Sequence, residues 1–176
     1  MPISRLNHAV LYVRDAERSA GFYSDVLGFR RVMQVPADGP ASAVFLQAEG
    51  SANDHDLGLF SIGAAAGPSE AGRRTVGLYH LAWEVDTLDD LDRVATALAE
   101  RGALVGASDH GSTKALYGRD ADGIEFEVSW LVPADLLDDD VLAARSTIRP
   151  LDIDREKARY GATTPGGVGV SRPAVP

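Results

Sequence analysis

Gly77-Leu78-Tyr79-His80-Leu81-Ala82-Trp83-Glu84-Val85 reads as a strand carrying one imidazole, and it repeats a pattern laid down near the start of the chain. There, Leu6-Asn7-His8-Ala9-Val10-Leu11-Tyr12-Val13 sets Leu two residues before His and Val five after it, as Leu78, His80 and Val85 are set. The offset is 72 residues (80 − 8). A repeat of this length decides how the fold is parsed, because each copy is one supersecondary unit that cannot bury its sheet alone.

The elements around each copy follow the same order. After the first strand, Asp15 is placed to cap a helix that runs to about Leu27, with Phe22/Val26 and Tyr23/Leu27 four residues apart and Gly28 as the stop signal. Three strand-like runs follow, at 29–35, 43–48 and 55–62, separated by turn-rich stretches, which gives βαβββ. Residues 63–74 are small and polar without a period and read as a linker. The order then restarts. Thr87 with Asp90 three residues on resembles a capping box, and Leu88, Leu91, Val94, Ala95 and Leu98 form one apolar helical stripe ending at Gly102. Strands near 103–107, 114–118 and 124–132 complete the second βαβββ.

The expected fold class is therefore α+β: two βαβββ modules, about 4–62 and 75–132, paired side by side into an open, curved mixed-sheet barrel. Together with an extension at 133–149 that adds a short helix, they make one domain over 1–149. Residues 150–176, rich in Pro, Gly and charge, are expected to be an arm or disordered.

Composition narrows the function. With 26 acidic against 17 basic residues the formal charge is −9 and no basic stripe occurs, which argues against nucleic acid and against anionic membranes. No apolar run approaches the roughly 20 residues of a membrane span, and the first strand begins close to Met1, so a cytoplasmic protein is expected. The absence of cysteine removes disulfides and thiolate ligands together, so any metal must be held by nitrogen and oxygen.

The last strand carries the other informative pattern. In Ile124-Glu125-Phe126-Glu127-Val128-Ser129-Trp130, apolar and polar residues alternate, so one face packs against helices and the other faces a polar cavity, where a carboxylate needs solvent, a partner or a metal. Glu127 lies 47 residues beyond His80 (127 − 80), and the same count from His8 reaches His55 (8 + 47). Two neutral imidazoles and one carboxylate on an inner wall match the facial triad that binds Fe(II) and leaves positions open for substrate and oxygen; Mn, Ni, Co and Zn accept similar ligands. One anionic ligand leaves the metal a net positive charge, which favours an anionic chelating substrate.

At four places the sequence resembles the vicinal oxygen chelate superfamily, which contains glyoxalase I, methylmalonyl-CoA epimerase, bleomycin- and fosfomycin-resistance proteins and type I extradiol dioxygenases. These are Leu6 to Val13, Gly21-Phe22-Tyr23-Ser24-Asp25-Val26-Leu27-Gly28-Phe29, Leu78-Tyr79-His80-Leu81-Ala82-Trp83, and Asp120-Ala121-Asp122-Gly123-Ile124-Glu125-Phe126-Glu127. The resemblance spans roughly residues 5–132. Two further stretches, Asp109-His110-Gly111-Ser112-Thr113-Lys114-Ala115-Leu116-Tyr117 and His55-Asp56-Leu57-Gly58-Leu59-Phe60, are most similar to the catechol 2,3-dioxygenase branch in its single-domain form. That branch implies His8, His80 and Glu127 as iron ligands, His55 as an acid/base beside the metal, and Tyr117 as a hydrogen-bonding partner of the substrate; His110 is a further catalytic candidate. A glyoxalase or epimerase more usually carries Glu or Gln at position 55 as a fourth ligand. The family's proline and asparagine of the final turn are Ala121 and Ile124 here.

Each residue also has a plainer reading. His8 or His80 alone is more often a satisfied strand histidine, Glu127 a solvated strand residue, His55 and His110 loop histidines, and Tyr117 a packed ring. Lys114, Arg73 and Arg74 read as solvated cations with one available for a substrate carboxylate, and Trp83 and Trp130 as core. Taken jointly, all four histidines of the chain fall at motif positions. The resemblance thus implies an Fe(II)-dependent extradiol dioxygenase of aromatic catabolism, a homo-oligomer acting on a catechol with O2. The alternatives are a metal-dependent isomerase or lyase of the glyoxalase and epimerase type, and a non-catalytic antibiotic-binding protein of the same fold.

Overall fold

The computed structural model describes residues 2, 3, 5–71 and 74–167. Arg73, part of the linker, and residues 168–176 of the expected tail lie outside the described residues. The architecture is mixed α+β, with one sheet of four strands and one of five, neither closed into a barrel. The chain divides into two compact units.

Unit 1 comprises residues 1–70 with 120–124. Its elements are β1 (Ala9–Val13), α1 (Ala16–Leu27), β2 (Arg30–Val35), β3 (Ala43–Gln47) and β4 (Leu57–Ser61), the βαβββ order expected from sequence. The sheet runs β1-β4-β3-β2, with β1 parallel to β4 and the other pairs antiparallel. Helix α1 starts where Asp15 accepts the backbone N–H groups of Glu17 and Arg18, and it stops at Gly28, whose φ of 72° is the left-handed conformation that ends helices. Its buried face, Ala16, Ala20, Tyr23 and Val26, covers Val44, Leu46, Leu57 and Leu59 of β3 and β4. The Tyr23 hydroxyl donates to Asp120 at 3.1 Å. Burial, and then the charge of Asp120, hold that phenol well above its ordinary pKa.

Unit 2 comprises residues 71–119 with 125–176. It contains β5 (Leu81–Glu84), α2 (Leu88–Glu100), β6 (Leu104–Asp109), β7 (Thr113–Arg119), β8 (Glu125–Leu131), a 3₁₀ turn at 134–136, α3 (Asp139–Ala144), β9 (Arg149–Pro150) and α4 (Ile153–Tyr160). The sheet order is β5-β8-β7-β6-β9, again with the first strand parallel to the last of its βαβββ set. Thr87 caps α2 by accepting the N–H of Asp90, and Leu88, Leu91, Val94 and Leu98 are buried as the apolar stripe requires.

Three expectations change. The histidine-bearing strands are shorter than their patterns suggest, so His8, His55 and His80 sit just before β1, β4 and β5 rather than inside them. The two units also differ in register. Ala9 pairs with Leu57, a separation of 48 (57 − 9), whereas Leu81 pairs with Phe126, a separation of 45 (126 − 81). The common count of 47 therefore does not follow the ladders: Gly58, opposite Val10, holds the rung that Glu127 holds opposite Ala82. Finally, the stretch expected to be an arm or disordered carries β9 and α4, and α4 packs against α2 through Lys157, whose ammonium meets Asp89 at 2.9 Å and Asp92 at 2.6 Å. Its first turn is capped by Asp152, and Glu156 and Tyr160 are buried one turn apart, which is an amphipathic helix in a stretch where charge hides the pattern. Among the described residues no helix is long and apolar enough to cross a membrane.

Candidate functional site

Four of the six residues singled out by sequence lie in unit 2, and there they converge. Adjacent strands β7 and β8 pair Tyr117 with Glu127, which puts both side chains on the same face of the sheet. The parallel pairing of β5 with β8 brings His80 to the same place: its Nε2 lies 3.2 Å from Glu127 Oε2, and its ring centroid is 5.9 Å from that of Tyr117. The β6–β7 hairpin adds His110, whose Nε2 is 3.0 Å from the Tyr117 hydroxyl. Gly106 lies opposite Tyr117 across the β6–β7 ladder.

The neighbouring carboxylate is used differently. Glu125 also points to this face, two residues away along β8, but it is matched by Arg119 at 3.6 Å. Glu127 faces imidazole and phenol instead. Burial, followed by the negative charge of Glu127, pushes the Tyr117 phenol up to about 12, so it stays protonated and can donate a hydrogen bond through the whole neutral range.

The pair formed by His80 and Glu127 fits a divalent cation. Two ligand atoms each about 2.1 Å from one ion and about 90° apart lie about 3 Å from each other, and the 3.2 Å between Nε2 and Oε2 is close to that span. His80 Nδ1 is buried without a hydrogen-bond partner among the described residues.

His8 and His55 belong to unit 1, where they lie against each other with ring centroids 4.5 Å apart. Phe45 packs edge-on against His55 at 5.0 Å. Asp54 Oδ2 lies 2.9 Å from His55 Nδ1, and Asn7 Oδ1 lies 2.7 Å from His8 Nδ1, so each ring is oriented through Nδ1 and keeps Nε2 for other partners. Among the described residues the structure gathers no group of three or more His, Asp or Glu around one point. Of the three ligands expected from sequence, it brings His80 together with Glu127.

Lys114 departs most from its expected role as a solvated cation. Its side chain is 1% exposed, and its ammonium is bound between Asp109 at 2.6 Å and Glu156 at 2.9 Å. Burial alone would raise the Asp109 pKa, but hydrogen bonds from Lys114 and from the Gly111 N–H, with the charges of Lys114 and Arg155, hold it below the usual carboxylate range. One local signal pointed this way: the β7 alternation puts Lys114 on the same face as Leu116, which packs in the core. Arg74 is exposed as expected. Trp130 is fully buried and Trp83 partly so.

Comparison with known proteins gives the same picture at family level. A family model described as the Glyoxalase/Bleomycin resistance protein/Dioxygenase superfamily matches residues 5–128. A catechol-2,3-dioxygenase of Bacillus subtilis (strain 168) is 30% identical over 131 residues, covering 71% of this chain and 41% of that protein, so the chain spans less than half of that relative's length. Among solved structures, a glyoxylase/bleomycin resistance protein/dioxygenase domain from Frankia sp. EAN1pec superposes with a TM-score of 0.60 at 25% identity, covering 73% of this chain and 92% of that one. A fosfomycin resistance protein from Listeria monocytogenes, solved with Mn(II) and a dihydroxypropylphosphonic acid, shares the fold with a TM-score of 0.53 at 18% identity, covering 72% and 90%.

Proposed function

The chain belongs to the Glyoxalase/Bleomycin resistance protein/Dioxygenase superfamily, and from that premise we propose that it is an Fe(II)-dependent extradiol dioxygenase that opens a catechol ring with O2. The observation that carries the reading is the grouping of His80, Glu127, Tyr117 and His110 on one face of the unit 2 sheet. A metal-dependent isomerase needs the first two of these; a hydroxyl donor backed by imidazole is what a diol substrate adds.

In this reading His80 and Glu127 hold the metal, His8 is the third ligand that the family resemblance implies, and His55 stays outside the ligand set. Bound Fe(II) supplies the Lewis acidity and the electron transfer that let catechol and O2 react. The residues do the rest. Tyr117 donates its hydroxyl proton in a hydrogen bond to a substrate oxygen, with its own oxygen held by His110 Nε2. His55, oriented at Nδ1 by Asp54, takes a catechol proton at Nε2 and returns it later in turnover. The ring opens beside the diol, and both atoms of O2 end in a semialdehyde-type acid.

The test is anaerobic loading with Fe(II), followed by a panel of catechols with oxygen uptake recorded. Uptake matched by a coloured ring-fission product supports the reading. Activity with Ni, Co or Zn that is indifferent to oxygen would assign the isomerase or lyase chemistry of other superfamily members instead. A protein that binds ligand but never turns over would be a sequestering protein.

A further inference from the structure

We propose that Lys114, on the opposite face of the sheet from the site, is a positioning residue: with Asp109 and Glu156 it locks the C-terminal helix α4 to the β6–β7 hairpin and thereby holds His110 against Tyr117. The inference rests on the reading that the His110–Tyr117 pair serves the substrate.

The hairpin geometry shows how the lock reaches the site. Asp109 and Lys114 are register partners, so they share the helix-covered face, while His110 and Tyr117 point the other way. His110 donates its N–H to Thr113 O at 2.9 Å, and Gly111, with φ at 73°, turns the chain. Asp109 Oδ1 accepts both the Gly111 N–H at 2.9 Å and the Lys114 ammonium at 2.6 Å. One carboxylate oxygen thus fixes the peptide that follows His110 and the cation that begins the return strand. On the far side, Glu156 of α4 is 1% exposed and meets Lys114 at 2.9 Å, while Arg155 binds its other oxygen.

Burying three charges is a poor way to gain stability alone, since well-packed apolar residues of similar volume do as well or better. What such a cluster adds is a single geometry. Two of the three arginines lining the adjoining cavity, of about 530 Å³, fit this use: Arg155 is matched by Glu156 and Asp109, and Arg159 by Asp138. The charge of these two is committed to holding α4 against Asp109 of β6 and Asp138 at the start of α3.

The test uses the metal-free full chain and the side-chain 15N resonances of its four histidines, read at one fixed pH. Lys114→Met and Glu156→Gln are expected to move the His110 Nε2 resonance toward that of an imidazole in water and to leave His55 in place. Lys157→Ala removes the tie between α4 and α2 only; it should lower Tm without moving His110. If Lys114→Met does not fold, Glu156→Gln, which keeps the Lys114–Asp109 pair, carries the comparison. In the iron-loaded enzyme Glu156→Gln should lower kcat roughly 10- to 100-fold at nearly constant KM, the scale of a small misplacement. His110 unmoved by both substitutions, or moved as far by Lys157→Ala, overturns the proposal. A wild-type protein without ring cleavage overturns the dioxygenase reading alone, because the resonance comparison needs neither metal nor turnover.

Discussion

Unit 1 and unit 2 share one βαβββ order and one pairing scheme, yet they concentrate chemistry differently. In unit 1 two histidines precede their strands and lean on each other, and the rung equivalent to Glu127 is occupied by Gly58. In unit 2 the carboxylate is inside a strand, fixed by ladders on both sides, and it meets His80 and Tyr117 across them. A duplicated scaffold therefore does not duplicate a site. A three-residue difference in register (48 − 45) decides whether a side chain is held by a sheet or stands at its edge.

That contrast can be broken by mutation. The largest effect belongs to the proposed ligand pair: Glu127→Gln and His80→Ala should weaken metal binding more than about 100-fold, since even residues behind a ligand are worth 10- to 100-fold. His55→Ala, in unit 1, should keep the metal and lose turnover; loss of metal there would make His55 a ligand and bring the two units closer in role. Next comes stability. Lys114→Met removes the buried cation between Glu156 and Asp109, which then share Arg155 alone, and should cost about 3–5 kcal/mol by chemical denaturation. The surface tie Lys157→Ala should cost less than about 1 kcal/mol.

Gly111→Ala is expected to cost about 1–3 kcal/mol, because a side chain there has an unfavourable φ and would collide with the Val141 carbonyl. Gly28→Ala, also at positive φ but with open space around it, should cost less.

The smallest effect is on pH dependence. The phenols of Tyr23, Tyr117 and Tyr160 are all raised above their ordinary value of 10, Tyr117 to about 12. A raised phenol pKa contributes stability that is complete below pH 10 and is lost as pH rises toward the folded value. Tm of the metal-free protein should therefore fall steadily between pH 10 and 12, with phenolate absorbance lagging behind that of free tyrosine. Asp109 acts in the opposite direction: its lowered pKa contributes stability at neutral pH that is lost as pH falls through its folded value. A flat Tm across the alkaline window would contradict the burial of these hydroxyls.

The ends of α1 and α2 were legible in the sequence because caps are local: Asp15, Gly28 and Thr87 meet groups within a few residues. The order of elements followed from periodicity, and the four residues that converge in unit 2 were singled out by the spacing of His80 and Glu127 and by the family resemblance. Register was not legible, since it is set by pairing between strands and not along one. Nor was the Lys114 cluster. Its partner Glu156 stands 42 residues away (156 − 114), in a stretch whose charge and proline content read as an arm. A lysine in an alternating strand looks solvated until a helix brings a carboxylate over it.

The most direct measurement is the metal content of protein made and purified anaerobically under reducing conditions, compared between the wild type and His80→Ala, Glu127→Gln and His55→Ala. Iron retained in the wild type and in His55→Ala, and lost from the other two, is the predicted result. A wild type that takes up no divalent metal, or a His80→Ala protein that keeps it, would contradict the assignment of His80 and Glu127 as ligands.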